Sequence, residues 1–245
     1  MNFNKALILA GGKGTRFEEQ TQDIPKPMIL AKNDPLLIHV MSIYIKHKIT
    51  DFTILAGYKK EIITQYFQKN AKTISKLDAK YEMNNGSLVT VLDTGDETLT
   101  GGRIKIGLDY VDEDNVYITY GDGFANINIT ELTKFHKKHK KLVTLTAVKP
   151  PPRFGNIKIL DDVVIGFKEK SFEYENWING GFFLVNKSIK NYISDLNQAF
   201  EKEPLEKLIS AGELMAYKHD GLFRPVDTVH ELGLFEKDLE DNSFT

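Results

Sequence analysis

The chain has 245 residues, 41% of them hydrophobic and 27% charged, with a formal net charge of −2. This is the size of one large or two small domains, with enough material for a sizeable core, and the near-neutral balance speaks against binding nucleic acid by bulk electrostatics. Cysteine is absent, which excludes disulfides, thiolate nucleophiles and cysteine-ligated metals.

The first element is Ala6 to Ala10, a short apolar run stopped by Gly11-Gly12. It reads as a buried strand opening into a glycine-rich turn. The run is too short for a signal-peptide core, and no stretch approaches the roughly 20 apolar residues of a membrane span. A cytoplasmic protein with no membrane or nucleic-acid partner is expected. Leu36 to Met41 starts like a helix, with Asp34 as its cap and Pro35 in its first position. Phe52 to Ala56 is a second buried strand, and a helix from about Lys60 to Phe67 follows. Val89–Leu92 and Val116–Tyr120 are further strands around a helical stretch from Gly102 to Tyr110. Thr130 can cap a helix through Phe135, and Leu142 to Val148 is another strand. Strands alternating with helices predict an α/β fold with a mainly parallel sheet covered on both faces.

After Pro150-Pro151-Pro152 the texture changes. Ile157–Leu160 and Val163–Phe167 flank Asp161-Asp162 as a hairpin, and Gly180 to Val185 reads as a strand. A helix through Leu205 and Leu208 and another around Leu232 to Leu239 close the chain. The basic run from Lys134 to Lys141 reads as a solvated helix end, and His136 and His139 within it as solvated too. His219 and His230 receive no role.

Gly11-Gly12-Lys13-Gly14-Thr15-Arg16 can bring main-chain N–H groups close to an anion, with Lys13 and Arg16 adding positive charge. On the glycines alone this is a phosphate cradle or simply a tight strand-to-helix turn. It is not a P-loop, and it lacks the last glycine of the dinucleotide fingerprint, which speaks against an oxidoreductase. Asp122, between glycines at the end of a buried strand, can ligate a cation or cap its own turn. Asp227 can ligate a cation or cap a helix starting at Val229.

Leu9-Ala10-Gly11-Gly12-Lys13-Gly14-Thr15-Arg16 followed by Pro25-Lys26-Pro27-Met28 resembles the signature of the sugar-phosphate nucleotidyltransferases. The resemblance runs almost end to end and is sharpest towards the glucose-1-phosphate cytidylyltransferase branch. The segments that carry it include Thr100-Gly101-Gly102-Arg103, Tyr120-Gly121-Asp122-Gly123, Trp177 to Phe183, Glu203-Pro204-Leu205-Glu206 and Gly212 to Tyr217. It implies a Rossmann-like three-layer fold with a mainly parallel mixed sheet and a small β-rich acceptor-binding portion. The chain would then be a single domain, 1–245, with a nucleotide-binding half over 1–149 and an acceptor-binding, closing half over 150–245.

The same resemblance assigns the site. Leu9, Ala10, Gly11, Gly12, Lys13, Gly14, Thr15, Arg16 and Lys26 would hold the nucleotide, and Thr100, Gly101, Gly102 and Arg103 would read its base as cytosine. Asp122 and Asp227 would pair on Mg²⁺, which takes one or two carboxylates plus substrate phosphates. Gly155, Glu169, Lys170 and Asn179 would line the acceptor pocket, with Trp177 as a wall or a core aromatic. Flanking prolines stiffen the loop that presents Lys26. The implied reaction joins CTP to a phosphorylated small molecule, releases pyrophosphate and needs no general base, with Arg16, Lys26, Asp122 and Asp227 as its catalytic set. A homo-oligomer is expected.

Two departures touch the acceptor. The segment between Phe67 and Thr90 is much shorter than in the glucose enzymes, and Ser171 to Asn176 lacks the usual proline. The alternative acceptor is a phosphorylated amino acid, L-glutamine phosphate, as in the similar capsule-pathway CTP:phosphoglutamine cytidylyltransferase. The alternative from another class is a catalytically silent nucleotide-binding homologue, against which the presence of Arg16, Lys26, Asp122 and Asp227 stands.

Overall fold

A computed structural model describes residues 3–14, 23–150, 156–160, 163–168, 177–241 and 243, with 156–160 and 166–168 described as backbone alone. Thr15, Arg16, Gly155, Glu169 and Lys170 lie outside the described residues.

The elements in chain order are β1 (Lys5–Ala10), a 3-10 turn (Lys26–Met28), β2 (Leu30–Ala31), β3 (Asp34–Pro35), α1 (Leu36–Ile45), β4 (Asp51–Ala56), α2 (Lys60–Asn70), β5 (Lys72–Ser75), β6 (Lys80–Glu82) and β7 (Leu88–Asp93). There follow α3 (Thr100–Tyr110), β8 (Asn115–Tyr120), β9 (Gly123–Ala125), α4 (Ile129–His139), β10 (Val143–Val148), β11 (Asn156–Leu160), β12 (Val163–Lys168) and β13 (Ile178–Asn186). A second 3-10 turn (Lys187–Tyr192), α5 (Glu203–Ser210), β14 (Leu214–His219), β15 (Phe223–Pro225) and α6 (Val229–Glu240) complete the chain.

The nine-stranded sheet has the order β14-β10-β13-β8-β1-β4-β7-β6-β5. β8, β1, β4 and β7 run parallel, and β10 runs parallel to β14. β13 is antiparallel to both β8 and β10, and β6 and β5 reverse the far edge. This is the mainly parallel mixed sheet that the resemblance implies. Alternate residues of β1 feed two separate cores, as a strand's two-residue period requires. Ala6 and Ile8 pack with α1, α4 and α6, whereas Leu7 and Leu9 pack with Ile104 and Leu108 of α3 and Leu208 of α5. β1 connects to β4 on one side and pairs with β8 on the other. The chain therefore changes direction between β1 and β8, and such a point opens a crevice beyond the carboxyl ends of the strands.

The helix starts differ from the sequence expectation, each for a visible reason. Asp34 does not cap α1, because Asp34 and Pro35 form a short ladder with Ala31 and Leu30. The hairpin supplies the helix's first partner instead: the Leu36 N–H donates to the Ile29 carbonyl at 2.9 Å. α4 begins at Ile129, so its cap is Asn128, whose side chain accepts the Glu131 N–H at 3.1 Å. Thr130 faces His47, its hydroxyl 3.0 Å from the ring. Thr228 caps α6, accepting the Glu231 N–H at 3.2 Å, while Glu231 reaches back to the Asp227 N–H at 2.9 Å. That reciprocal box keeps the Asp227 carboxylate out of capping.

His136 is a second correction, for it is only 5% exposed. The Lys141 N–H donates to His139 Nδ1 at 2.9 Å, so neutral His139 carries its proton on Nε2 and donates to Thr144 Oγ1 at 2.7 Å. The Thr144 hydroxyl then donates to His136 Nδ1 at 2.8 Å. The helical period of the Lys134–Lys141 run places His136 inward although the run as a whole is basic. Burial, with His139 as a lesser cause, pushes His136 down to about 4. The stabilisation from keeping this ring neutral is complete above the unfolded value of about 6.5 and disappears as pH falls towards 4, for on the order of 3 kcal/mol. The urea midpoint is expected to fall between pH 7 and pH 4.5, and to fall less in His136→Gln. Equal slopes in the two proteins would contradict this.

Candidate active site

The crevice at the carboxyl ends of β1 and β8 is a cleft of about 320 Å³, within the usual size range of small-molecule sites. It is lined on one side by Leu9 to Gly14 and on another by Lys26, Pro27, Tyr120, Gly121 and Asp122. The far wall is the segment Asp96 to Thr100 with Arg103. Leu9, Ala10, Gly11, Gly12, Lys13, Gly14, Lys26, Thr100, Arg103 and Asp122, all expected at the nucleotide from sequence, therefore meet in one cleft. Asp96 to Leu99, Pro27 and Tyr120 also line it and carry no expectation from sequence. Their signal is topological: the turn after β7 and the last residue of β8 both end at the carboxyl edge of the sheet.

Lys26 sits at the base of the cleft, 7% exposed. The 3-10 turn between Pro25 and Pro27 is closed by the Met28 N–H donating to the Pro25 carbonyl at 2.8 Å. Lys26 Nζ donates to Asp122 Oδ2 at 2.8 Å and to Asp227 Oδ1 at 2.6 Å. Residues 122 and 227 are distant in sequence, and the pairing of β9 with β15 joins them. Gly123 lies opposite Pro225, and the Val226 N–H donates to the Asp122 carbonyl at 3.1 Å.

Two carboxylates from separate segments thus converge on one cation. An all-oxygen donor pair of this kind fits a divalent cation that keeps water and substrate oxygens as its remaining ligands. Among the described residues no group of three or more His, Cys, Asp or Glu side chains could enclose a metal. The pair therefore suits an ion shared with a substrate, not a closed structural site.

Arg103 lines the cleft but spends its guanidinium on the loops around it. One terminal nitrogen donates to Thr94 Oγ1 at 2.6 Å and the Gly95 carbonyl at 2.7 Å; the other donates to the Gly11 carbonyl at 2.9 Å. Gly11 is needed because a Cβ there would lie 2.2 Å from Arg103 Cζ. The arginine thereby ties the glycine loop to the turn after β7. Gly101 and Gly102 do not line the cleft. They let the start of α3 rest on the chain at residues 196–198, where a Cβ on Gly102 would lie 2.1 Å from the Leu196 carbonyl oxygen. Lys13 bonds Glu97 across the mouth at 2.7 Å, an exposed pair of little energetic weight.

Trp177 immediately precedes β13 and Asn179 is the second residue of that strand; neither is among the residues that line the cleft. The Asn179 side chain accepts the Gly181 N–H at 2.8 Å. The Trp177 ring has the Lys149 and Lys218 ammonium groups 5.5 and 5.2 Å from its centroid. His219 is buried, and its Nε2 lies 3.3 Å from the Leu222 carbonyl oxygen. His230 is exposed on α6.

The chain that builds this arrangement is similar to known proteins. The Nucleotidyl transferase family pattern matches residues 5–222. The chain belongs to that family. It is 41% identical to the glucose-1-phosphate cytidylyltransferase of Salmonella typhimurium, over 95% of this chain and 96% of that one. It is 38% identical to the probable glucose-1-phosphate cytidylyltransferase of Bacillus subtilis, with 93% of each chain covered. In fold it is similar to HddC from Yersinia pseudotuberculosis complexed with GMP-PN, with a TM-score of 0.75, 21% identity, and 97% and 100% of the two chains covered. It is likewise similar to a UDP-glucose pyrophosphorylase complexed with UDP-glucose, at a TM-score of 0.74, 17% identity, and 98% and 100% coverage. The chain is thus a nucleotidyltransferase with the mixed α/β fold of those structures. Enzymes of this family generally use a divalent metal. No helix among the described residues is long and apolar enough to cross a membrane.

Proposed function

We propose that the chain transfers the cytidylyl group of CTP to a sugar 1-phosphate, glucose 1-phosphate first among them, with release of pyrophosphate. The observation that carries this reading is the Lys26 ammonium held between Asp122 and Asp227 at the base of the cleft. An oxygen of the acceptor phosphate attacks the α-phosphorus, the bond from that phosphorus to the β-phosphate oxygen breaks, and pyrophosphate leaves with the electron pair. The attacking phosphate is already anionic near pH 7, so positioning and charge neutralisation carry the step. Lys26 and Arg16 neutralise the nucleotide phosphates, and the amides of Gly11 to Gly14 cradle them. Asp122 and Asp227 are the residues that would hold Mg²⁺, which supplies Lewis-acid neutralisation of substrate oxygens when bound. Thr100, at the start of α3, borders the base, while Gly155, Glu169, Lys170, Trp177 and Asn179 serve the acceptor.

On this reading the chain is one domain whose first half, 1–149, binds nucleotide and whose second half, 150–245, binds the acceptor and returns Asp227 to the metal. It works in the cytoplasm, where CTP and sugar phosphates are found. It works as a homo-oligomer, a reading supported by the β11–β12 hairpin, which exposes the consecutive apolar residues Val163, Val164 and Ile165; such a patch is what a partner covers.

A second acceptor class, the phosphorylated amino acid, is favoured by one observation. Lys149 and Lys218 both flank Trp177, and only Lys149 has a carboxylate partner among the described residues, Asp220 at 3.1 Å. Such a site suits a carboxylate at the far end of an acceptor, which glucose 1-phosphate lacks. The deciding experiment is pyrophosphate release from each of the four nucleoside triphosphates with a panel including glucose 1-phosphate and L-glutamine phosphate. Highest kcat/KM for CTP with the sugar phosphate is expected. Preference for the amino-acid phosphate replaces the acceptor, and silence with every pair overturns the reading.

A further inference from the structure

Beside the same cleft runs a chain of hydrogen bonds, and the residue at its centre has no part in the chemistry above. Its centre is Glu201, in the turn ahead of α5, whose two carboxylate oxygens serve different elements. Oε2 accepts from Thr100 Oγ1 at 2.6 Å, and Oε1 accepts from the Tyr120 phenol. Thr100 belongs to the first turn of α3; Tyr120 is the last residue of β8 and lies two positions before Asp122.

Each link has a fixed direction. The Phe200 N–H donates to Thr100 Oγ1 at 2.9 Å, so the single Thr100 proton goes to Glu201. A phenol facing a carboxylate is the donor, so the Tyr120 proton goes to Glu201 Oε1. The Asn179 side chain lies beside the Tyr120 hydroxyl and interacts with it. Because Asn179 Oδ1 already accepts the Gly181 N–H, its amide N–H₂ is the group suited to donate there. The chain therefore reads from Asn179 through Tyr120 to Glu201 on one side, and from Phe200 through Thr100 to Glu201 on the other. The first turn of α3 has little freedom to move independently. The Leu99 and Gly101 N–H groups donate to the Leu196 and Gln198 carbonyls at 3.2 and 2.9 Å.

We propose that Glu201 is a positioning residue that couples the two substrate subsites, its carboxylate locking the Thr100 end of α3 on the nucleotide side to Tyr120 and, through Tyr120, to Asn179 on the acceptor side. This rests on the reading above of Thr100 as a nucleotide-side and Asn179 as an acceptor-side residue. A carboxylate is required because both neighbours arrive as donors. A neutral amide presents one acceptor and one donor, so one of the two bonds is lost. Binding on one side then orders a network that the other side shares, and the effect is reciprocal.

The test is a pair of titrations without Mg²⁺, so that no turnover occurs: CTP with and without saturating glucose 1-phosphate, and the reverse. The wild type is expected to bind each ligand more tightly in the presence of the other, by on the order of five- to tenfold and by the same factor both ways. In Glu201→Gln and in Tyr120→Phe, which breaks one link and leaves the Thr100 bond in place, that factor is expected to approach one. Affinity of Glu201→Gln for CTP alone should change little, because Glu201 does not line the cleft. Glu203→Ala is the control. Glu203 is an exposed carboxylate bonded to Lys207 and Gln198, and its loss should leave the coupling intact. A purely structural role would lower the melting temperature and both affinities without changing their ratio. A wild-type factor of one, or an unchanged factor in both variants, overturns the proposal. Absence of CTP binding by the wild type overturns the cytidylyltransferase reading and the coupling with it.

Discussion

Lys26→Met is expected to lower kcat by about 10²- to 10³-fold, the usual cost of removing one preorganised group that neutralises developing charge. The methionine keeps the length and apolar stem of the side chain but removes the ammonium. Two consequences should separate from each other. The first is chemical: the polyphosphate loses a buried cation that the proline-bounded turn holds in position. The second is electrostatic, in the protein alone. Asp122 and Asp227, at 2.8 and 2.6 Å from Nζ in the native protein, are left facing each other. Breaking a fully buried ion pair costs about 3–5 kcal/mol; here the aspartate side chains are 35% and 21% exposed, so solvent reduces the loss.

If the aspartates bind a divalent cation, that loss is recoverable. Millimolar Mg²⁺ should raise the melting temperature of the variant by more than it raises that of the wild type. Calorimetry with and without Mg²⁺, beside steady-state pyrophosphate release, checks both parts. Turnover within tenfold of the wild type would remove Lys26 from the reaction. A variant indifferent to Mg²⁺ would remove the aspartates from the metal.

Asp122→Asn is expected to lower kcat by about 10²-fold or more, because a metal ligand contributes several kcal/mol of charge stabilisation and each 1.4 kcal/mol is about tenfold in rate. Asparagine retains an oxygen that can accept from Lys26, so the fold should lose little: the β9–β15 pairing and the Val226 bond use the backbone of residues 122 and 123. The discriminating measurement is the Mg²⁺ concentration for half-maximal activity, which should rise together with the fall in kcat. A normal Mg²⁺ requirement with normal turnover would assign Asp122 to the turn alone.

Much of the molecule is legible in the sequence where a local rule operates. Continuous apolar runs such as Ala6–Ala10 and Phe52–Ala56 become central parallel strands, since only a strand buried on both faces tolerates them. The edge strands were not legible. β14, parallel to β10 at one margin, alternates weakly and carries Lys218 and His219. β5 and β6 at the other margin are short and polar. Helix starts failed where two capping candidates stood close together, as Asn128 and Thr130 do, because a shift of two residues exchanges a cap for a surface hydroxyl. His136 failed for a related reason: a basic run sets the average character of a segment, whereas the helical period decides which side chain turns inward.

The sequence by itself determined the alternating α/β pattern, the glycine loop after β1, the proline-bounded Lys26 and the presence of Asp122 and Asp227, because each depends on neighbours within a few residues. Only the tertiary structure decided that Lys26 lies between those aspartates, that Arg103 is spent on loop carbonyls, and that Glu201 joins Thr100 to Tyr120. Those relations arise from strand order and from the β9–β15 pairing, which bring residues 26, 122 and 227 to one point. No local pattern encodes such a distance, because it is set by how sheets and helices pack.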